Sequence, residues 1–306
     1  MADITASLVK ELRERTQAGM ADCKNALVET GGDIDKAVEV ILKKGIVKAA
    51  ARAGRVASEG EVRTWISPDK KRGVIVEVNC QTDFVARGDV FKEFVTKVTE
   101  AASTLKKGAD LVSQKYPGSD KTIDIIRQEL VSKTGENTVV RRWDVVEAPN
   151  GFVHAYVHMG GKNAAIVAVA GPASSKDVET FADNVAMQIV SMKPLVVQKG
   201  ELSQAQIDKQ KEIFAAQLKE EGKPEAAWPK IMEGKIAKWF TEVTLLGQEN
   251  VCEPGTGTIE KGRAELSKKV GGDVKIDAFV RFELGEGIEK PPTDDLAAEV
   301  AKMTGG

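Results

Sequence analysis

The 306-residue sequence contains little of the chemistry that most active sites need. It has three cysteines and two histidines, and aromatic residues make up 5% of the chain. The cysteines are odd in number and far apart, which argues against a disulfide framework or a zinc knuckle and favours a reducing compartment. No apolar run approaches the roughly 18 residues of a membrane span. The N-terminus lacks a signal-peptide core, so we expect a cytoplasmic protein without a membrane part.

The charge of the chain is nearly balanced. Lysine and arginine total 44 and the acidic residues 46, a formal net charge of -2. Proteins that hold nucleic acid through its phosphates carry a basic domain or stripe, so we expect no direct nucleic-acid partner. The apolar fraction of 42% allows a sizeable core, and the length predicts two or three domains.

Helical periodicity dominates the first 45 residues. Leu8–Thr16 and Gly19–Thr30 predict two short helices, and a third is expected to end at Gly45. The apolar residues of the third helix recur at helical spacing: Ile34, Ala37, Val38, Ile41 and Leu42. So small a bundle is typical of a recognition module. The stretch Ala49–Gly60 is its expected tether to a larger body.

From Glu61 the period changes to two. The stretches EVRTWI and GVIVEV predict a hairpin, followed by two helices and a strand at Thr138–Glu147. A similar order recurs with the hairpin GFVHAYVH and AAIVAVAG, a helix capped at Ser175 and a late strand at 277–284. These two hairpin-plus-helix units predict an α+β body with antiparallel sheets, made by duplication.

Residues 201–240 predict an antiparallel helical hairpin. Its apolar positions are Ile207, Ile213, Phe214 and Leu218 on one arm, and Trp228, Ile231, Ile236, Trp239 and Phe240 on the other. Such a hairpin either packs on the body or projects to bind a partner or a second copy, so a homodimer is one alternative. A final helix is expected after Thr293, with Leu296, Val300 and Met303 on its apolar side.

No catalytic or metal-binding constellation stands out. His154 and His158 lie four positions apart on a predicted strand, and at about 3.3 Å per residue their Cα atoms are about 13 Å apart, too far to share a metal. Neither G-x-S-x-G nor G-x-x-x-x-G-K-[ST] occurs, which argues against a hydrolase and against direct nucleotide binding. We therefore expect no enzyme, cofactor or metal, and favour a protein that acts on another protein.

One acid and one aromatic remain unexplained between a predicted strand and the helix that Asp89 is expected to cap. These are Asp83 and Phe84. Gly88 would interrupt a helix starting at Thr82, which predicts a loop or turn here. Because most aromatic side chains are buried, the residues alone favour Phe84 folding back onto the core, with an exposed contact residue as the alternative.

Two long segments, Leu8–Leu27 and Val78–Arg87, closely resemble the signature segments of the elongation factor Ts family, the guanine nucleotide exchange factors of elongation factor Tu. Shorter matches follow along nearly the whole chain: Lys133–Arg142, Tyr156–Lys162, Ala186–Leu195, Glu233–Gln248 and Phe279–Lys290. Gln17 and Ala21 stand where the family usually has Gly and Met, and Leu296 where an aromatic is frequent. These departures bear on contact strength more than on membership.

The resemblance implies a domain order within the α+β class. Residues 1–54 would form a three-helix module like a ubiquitin-associated domain, and residues 55–147 and 148–285 two related core subdomains. The helical hairpin, about 196–241, would be an insertion in the second subdomain. Residues 286–306 would form a C-terminal module.

The resemblance also implies a function, which is to bind elongation factor Tu with GDP and to promote GDP release so that GTP rebinds. Thr82, Asp83, Phe84 and Val85 would enter the G domain of that partner beside its Mg²⁺. Phe84 would be a wedge and Asp83 would disturb the surroundings of the metal. Nucleotide and metal belong to the partner, so this chain would hold neither.

Two further contact surfaces are implied by the resemblance. One, on the N-terminal module, would dock on an exposed helix of the G domain; it comprises Arg13, Thr16, Ala18, Gly19 and Met20. The other would touch a different domain of elongation factor Tu; it comprises Tyr156, His158, Gly160 and Gly161. The alternative reading is a protein-binding adaptor that holds another client through its ubiquitin-associated-like module.

Overall fold

The computed structural model describes residues 4–16, 18–172 and 175–289 of the chain. Within these residues the chain divides into two compact units. Unit 1 comprises the described residues of 1–63, 76–143 and 283–306, and unit 2 comprises those of 64–75 and 144–282. Helices and small antiparallel sheets are mixed along the chain, which confirms the predicted α+β class.

Three helices open unit 1: α1 (Ala6–Thr16), α2 (Met20–Glu29) and α3 (Ile34–Arg52). They enclose a small core of Val9, Leu12, Cys23, Ala26, Leu27 and Ala37. The expected end of the third helix at Gly45 is wrong, because α3 continues to Arg52. A Cβ at Gly45 would lie 2.9 Å from the Ser132 hydroxyl oxygen, so this glycine allows the close approach of a neighbouring helix instead of ending its own.

The first sheet has the order β1-β2-β3, with β1 (Glu59–Ile66), β2 (Arg72–Cys80) and β3 (Thr138–Glu147). Three helices lie between β2 and β3 in sequence: α4 (Asp83–Arg87), α5 (Asp89–Ala102) and α6 (Ile123–Thr134). Phe91, Phe94 and Val98 of α5 are buried, as their spacing predicts. The Thr122 side chain accepts a hydrogen bond from the Ile125 amide and caps α6, which packs against α3.

Unit 2 contains the second sheet, with the order β4-β5-β6. Its strands are β4 (Gly151–His158), β5 (Asn163–Ala170) and β6 (Lys275–Glu283). Strands β4 and β5 pair antiparallel from Gly151 opposite Ala170 to His158 opposite Asn163. Helix α7 (Lys176–Met192) packs on both of these strands. It contributes Val178, Ala182, Val185, Ala186 and Ile189 to the core of the unit.

The helical hairpin of unit 2 consists of α8 (Gln204–Glu220) and α9 (Trp228–Val243), which pack against each other. Its small core is formed by Leu202, Ile236 and Trp239, with Ile207, Phe214 and Phe240 packed around them. Ile213 was expected on the packed side, but its side chain is 42% exposed. The sequence patterns also gave no indication of α10 (Ile259–Val270), which is rich in charged residues. The expected C-terminal helix lies outside the described residues.

Two glycines occupy equivalent places in the two hairpins. A Cβ at Gly60 in β1 would lie 2.1 Å from the carbonyl oxygen of Val78 in β2. A Cβ at Gly151 in β4 would lie 2.0 Å from the carbonyl oxygen of Val169 in β5. In both hairpins the first strand therefore crosses the end of the second at a distance that only glycine permits. Two hairpins derived from one ancestral copy are expected to share such a detail.

Gly60→Ala is expected to destabilise unit 1. Gly60 has φ 134°, and strained backbone of this kind costs about 1–3 kcal/mol before the contact with Val78 is added. Gly54→Ala is the matched control, since no atom lies within 4 Å of a Cβ at that position. Thermal and urea unfolding of both variants measures the difference in their free energies of unfolding. Equal stabilities would show that position 60 does not require glycine.

Candidate functional site

The turn after β2 carries the four residues that the sequence singled out. Thr82 is the N-cap of α4, and its hydroxyl oxygen accepts a hydrogen bond of 3.3 Å from the Val85 amide. The expected loop is therefore one short helical turn. Gly88 ends α4 in extended conformation and also precedes α5, so Gly88, and not Asp89, occupies the N-cap position of that helix.

Phe84 projects from this turn into solvent with 82% of its surface exposed. The expectation that it folds back onto the core is wrong. Ala86 is the buried residue of the turn, and a single helical turn that buries position 86 directs position 84 away from the core. Burying a phenylalanine gains about 1.5–3 kcal/mol. This free energy is not used within unit 1 and is available for binding a partner.

Asp83 lies beside Phe84 and is also exposed. Its Oδ2 atom is 2.7 Å from the Arg87 guanidinium, one helical turn further on, and both side chains are well solvated. Solvent-exposed ion pairs contribute about 0–1 kcal/mol to stability. The Asp83 carboxylate can therefore leave Arg87 for another cation or donor at little cost.

Two residues of the α6–β3 loop hold the turn in place, and the sequence patterns did not reveal them. The Glu136 carboxylate accepts hydrogen bonds from both the amide and the hydroxyl of Thr82, at 3.0 and 2.7 Å. The backbone N–H of Asn137 donates to the Gln81 side-chain oxygen at 2.8 Å. Glu136 and Asn137 lie within KTGENTVVRR, one of the matching stretches, but no local spacing connects them with residues 81–85.

The predicted surface of the N-terminal module is only partly open to solvent. Arg13 and Gly19 are exposed, and Met20 is 58% exposed. Thr16 and Ala18 are half-buried and line a cavity of about 230 Å³ within unit 1. Val38, Ile41 and Leu42 of α3 and Ile125 of α6 also line this cavity. The Thr16 hydroxyl donates to the Leu12 carbonyl oxygen at 2.7 Å and so shapes the end of α1.

The third predicted surface is the β4–β5 turn of unit 2. The Tyr156 hydroxyl and His158 Nδ1 are 2.9 Å apart, and their ring centroids are separated by 5.8 Å. His158 and Gly160 are exposed, whereas Tyr156 packs against the core and Gly161 is buried. Gly160 and Gly161 both have positive φ, which the tight turn requires. This surface therefore presents the Tyr156–His158 pair on a rigid turn.

Within the described residues, no group of three or more His, Cys, Asp or Glu side chains has the arrangement of a metal site. In the same part of the chain, no helix combines the length and the apolar character that crossing a membrane requires. His154 is paired with Asp183 at 3.2 Å, so the two histidines of β4 have different neighbours.

Comparison with known proteins identifies relatives along the chain. The model of the family described as "Elongation factor TS" matches residues 81–286. "Elongation factor Ts" of Clostridium perfringens (strain SM101 / Type A) is 47% identical over 304 residues, covering 99% of each chain. The protein of the same name from Clostridium tetani (strain Massachusetts / E88) is 44% identical over 303 residues, covering 98% of this chain and 99% of its own.

Proposed function

The chain belongs to the elongation factor Ts family and has a role in translation elongation, and from this premise we propose that it is a guanine nucleotide exchange factor. It binds elongation factor Tu with GDP, promotes release of GDP and allows GTP to rebind. The observation that carries this proposal is the exposed Phe84, held beside Asp83 on a capped helical turn.

The physical basis is competition for the phosphate and Mg²⁺ site of the partner. A tightly held GDP depends on Mg²⁺ bridging its phosphates and on charge-assisted contacts around them. Insertion of Phe84 between elements of the G domain moves these groups, and the Asp83 carboxylate disturbs the surroundings of the metal. Because coupling is reciprocal, nucleotide weakens binding of this protein by the same factor. A thousandfold weakening corresponds to about 4 kcal/mol.

The other two surfaces contact the partner away from its nucleotide site and contribute to affinity only. Arg13, Gly19 and Met20 of the N-terminal module dock on an exposed helix of the G domain, and the β4–β5 turn contacts a second domain of the partner. Their binding energy offsets the cost of opening the nucleotide site.

We propose that the chain itself catalyses no chemical reaction. Burial, together with the Glu253 and Asp183 carboxylates, raises the pKa of the Cys252 thiol. That thiol stays protonated at neutral pH and is a poor nucleophile. Acceleration of GDP release then needs only differential binding of the two partner states.

The test is release of a fluorescent GDP analogue from elongation factor Tu in Mg²⁺ buffer, with excess unlabelled nucleotide. We expect the parent protein to accelerate release in a saturable manner. A folded parent protein that binds elongation factor Tu without accelerating release would refute the proposal. Separately, no binding would favour an adaptor for another client.

His158→Ala is expected to weaken the complex through loss of the ring at the β4–β5 turn. Removing one interface anchor of this size costs roughly five- to tenfold in half-saturating concentration. The maximal rate of GDP release should stay unchanged, because this turn is proposed to bind and not to open the site. His154→Ala, on the same strand but paired with Asp183, is the matched control. Equal effects of the two substitutions would contradict the assignment.

A further inference from the structure

The turn that carries Phe84 cannot hold its position by itself. Helix α4 has five residues, and isolated helices shorter than about 12–15 residues are marginal in water. Its ion pair between Asp83 and Arg87 is solvent-exposed, and Ala86 provides a small buried contact. The direction in which Phe84 points is therefore set by groups outside the turn.

Glu136 supplies the missing half of a capping box. In a capping box, the residue at the third helical position is Glu or Gln, and its side chain accepts a hydrogen bond from the N-cap amide. In α4 that position is Val85, which has no acceptor in its side chain. The Glu136 carboxylate takes this role from 54 positions away and also binds the Thr82 hydroxyl. Both bonds are charge-assisted, the stronger kind.

The neighbouring Asn137 joins the same loop to two other segments. Its side chain is buried and donates to the carbonyl oxygens of Ala53 and Arg55, at 3.3 and 2.8 Å. These two residues directly follow α3, the last helix of the N-terminal module. The backbone N–H of Asn137 donates to the side-chain oxygen of Gln81, at the start of the turn. Loop 135–137 is thus bonded to the chain leaving the module and to the turn that carries Phe84.

The start of this loop is fixed by the helix before it. Gly135 ends α6 in the left-handed conformation with φ 79°, and its amide donates to the Val131 carbonyl oxygen. Asn137 is followed at once by the buried Thr138 of β3. Glu136 therefore projects from a short connection between two well-anchored elements. A rigid support of this kind reduces the ordering cost of binding.

We propose that Glu136 is a positioning residue for nucleotide exchange: it holds the Phe84 turn in the orientation that enters the partner. Asn137 keeps the same loop bonded to the N-terminal module. The proposal rests on the proposed function, because the orientation of Phe84 matters for the rate only if Phe84 is the wedge. Glu136 itself touches neither nucleotide nor metal.

The structural part of the proposal is tested on the protein without its partner. Backbone hydrogen–deuterium exchange is measured for residues 82–88 in the parent, Glu136→Ala, Glu136→Gln and Glu100→Ala. We expect exchange to be roughly tenfold faster in Glu136→Ala, since both charge-assisted hydrogen bonds to Thr82 are lost, and less affected in Glu136→Gln, which keeps one acceptor oxygen. Glu100 pairs with Lys97 on α5, and its replacement should leave the turn unchanged. Unaltered exchange in Glu136→Ala overturns the proposal.

The functional part is tested by a double-mutant cycle on GDP release from elongation factor Tu. Glu136→Ala should slow release about tenfold in the parent and have no further effect in the Phe84→Ala background, because it acts through Phe84. Equal slowing in both backgrounds would show that Glu136 acts elsewhere and would overturn the proposal. If the parent protein fails to accelerate release, the proposed function fails, whereas hydrogen exchange still decides whether Glu136 holds the turn.

Discussion

Phe84→Ala is expected to slow the release of GDP from elongation factor Tu by roughly 10- to 100-fold at saturating concentrations of this protein. Burying a phenylalanine gains about 1.5–3 kcal/mol, and each 1.4 kcal/mol is a factor of ten in rate or affinity. Phe84 is proposed to be buried only when the nucleotide site of the partner is open. Its loss should therefore lower the maximal rate more than it weakens the complex.

The folded protein should not be affected by this substitution. Phe84 is 82% exposed, and exposed positions of this kind change stability by about 0.5 kcal/mol or less. Phe84→Leu should recover part of the rate, because it restores much of the apolar surface. Val90→Ala, which removes another exposed apolar side chain near the turn, is the control and should leave the rate unchanged. An unaltered rate for Phe84→Ala would mean that the turn does not open the site.

The second large effect is expected for Glu77→Ala, which should destabilise unit 1 by about 3–5 kcal/mol, since truncating one member of a buried ion pair leaves its partners uncompensated. Glu77 lies on β2 and is fully buried. One of its oxygens accepts hydrogen bonds from Arg141 at 2.9 Å and from the Gly285 amide at 2.8 Å. The other accepts from Arg142 at 2.5 Å. This carboxylate therefore joins β2, β3 and the segment after β6.

Glu77 should also make stability depend on pH. Burial by itself would raise the pKa of this carboxyl, but the Gly285 amide and the two arginines outweigh it and lower the pKa below its ordinary value of 4.5. A group with a depressed folded-state pKa stabilises the protein above its unfolded-state pKa. This contribution is lost as the pH falls below about 4.5 and through the folded-state pKa.

Calorimetric unfolding between pH 3 and pH 7 measures both effects. Glu77→Gln should remove part of the acid dependence seen in the parent. Glu286→Gln is the control. The Glu286 carboxylate is half-exposed, and its distance of 3.4 Å to Arg142 is longer than the distances from Glu77 to its two arginines. If the free energy of unfolding of Glu77→Ala at pH 7 lies within about 1 kcal/mol of the parent value, the stabilising role proposed for the Glu77 carboxylate is wrong.

Most secondary-structure elements could be predicted from local patterns. The β-branched run in β2, which is buried at every position from Gly73 to Cys80, and the helical spacing of apolar residues in α5 and α7 gave the correct element types. Charge obscured α10, whose helical pattern has few apolar residues. Gly45 was misread as a helix end, because sequence alone does not show that Ser132 of another helix lies against it.

The candidate site could be located from the sequence, but the local pattern did not predict that Phe84 is exposed. Asp83 and Phe84 stood out because neither fits the strand before them nor the helix after them. The general rule that aromatic residues are buried pointed the wrong way for Phe84. A burial preference is an average over many proteins, and Phe84, with 82% of its surface exposed, departs from it.

By itself, the sequence determined the family and most of the helices and strands, and it singled out the residues predicted to contact a partner, since these depend on motifs and periods within a few turns of the chain. Only the tertiary structure decided which of those residues face solvent and what holds them. Glu136 caps a turn 54 positions away, and Glu77 binds Arg141 across 64 positions and Gly285 across 208. Such bonds form between residues that only folding brings together, so no local pattern encodes them.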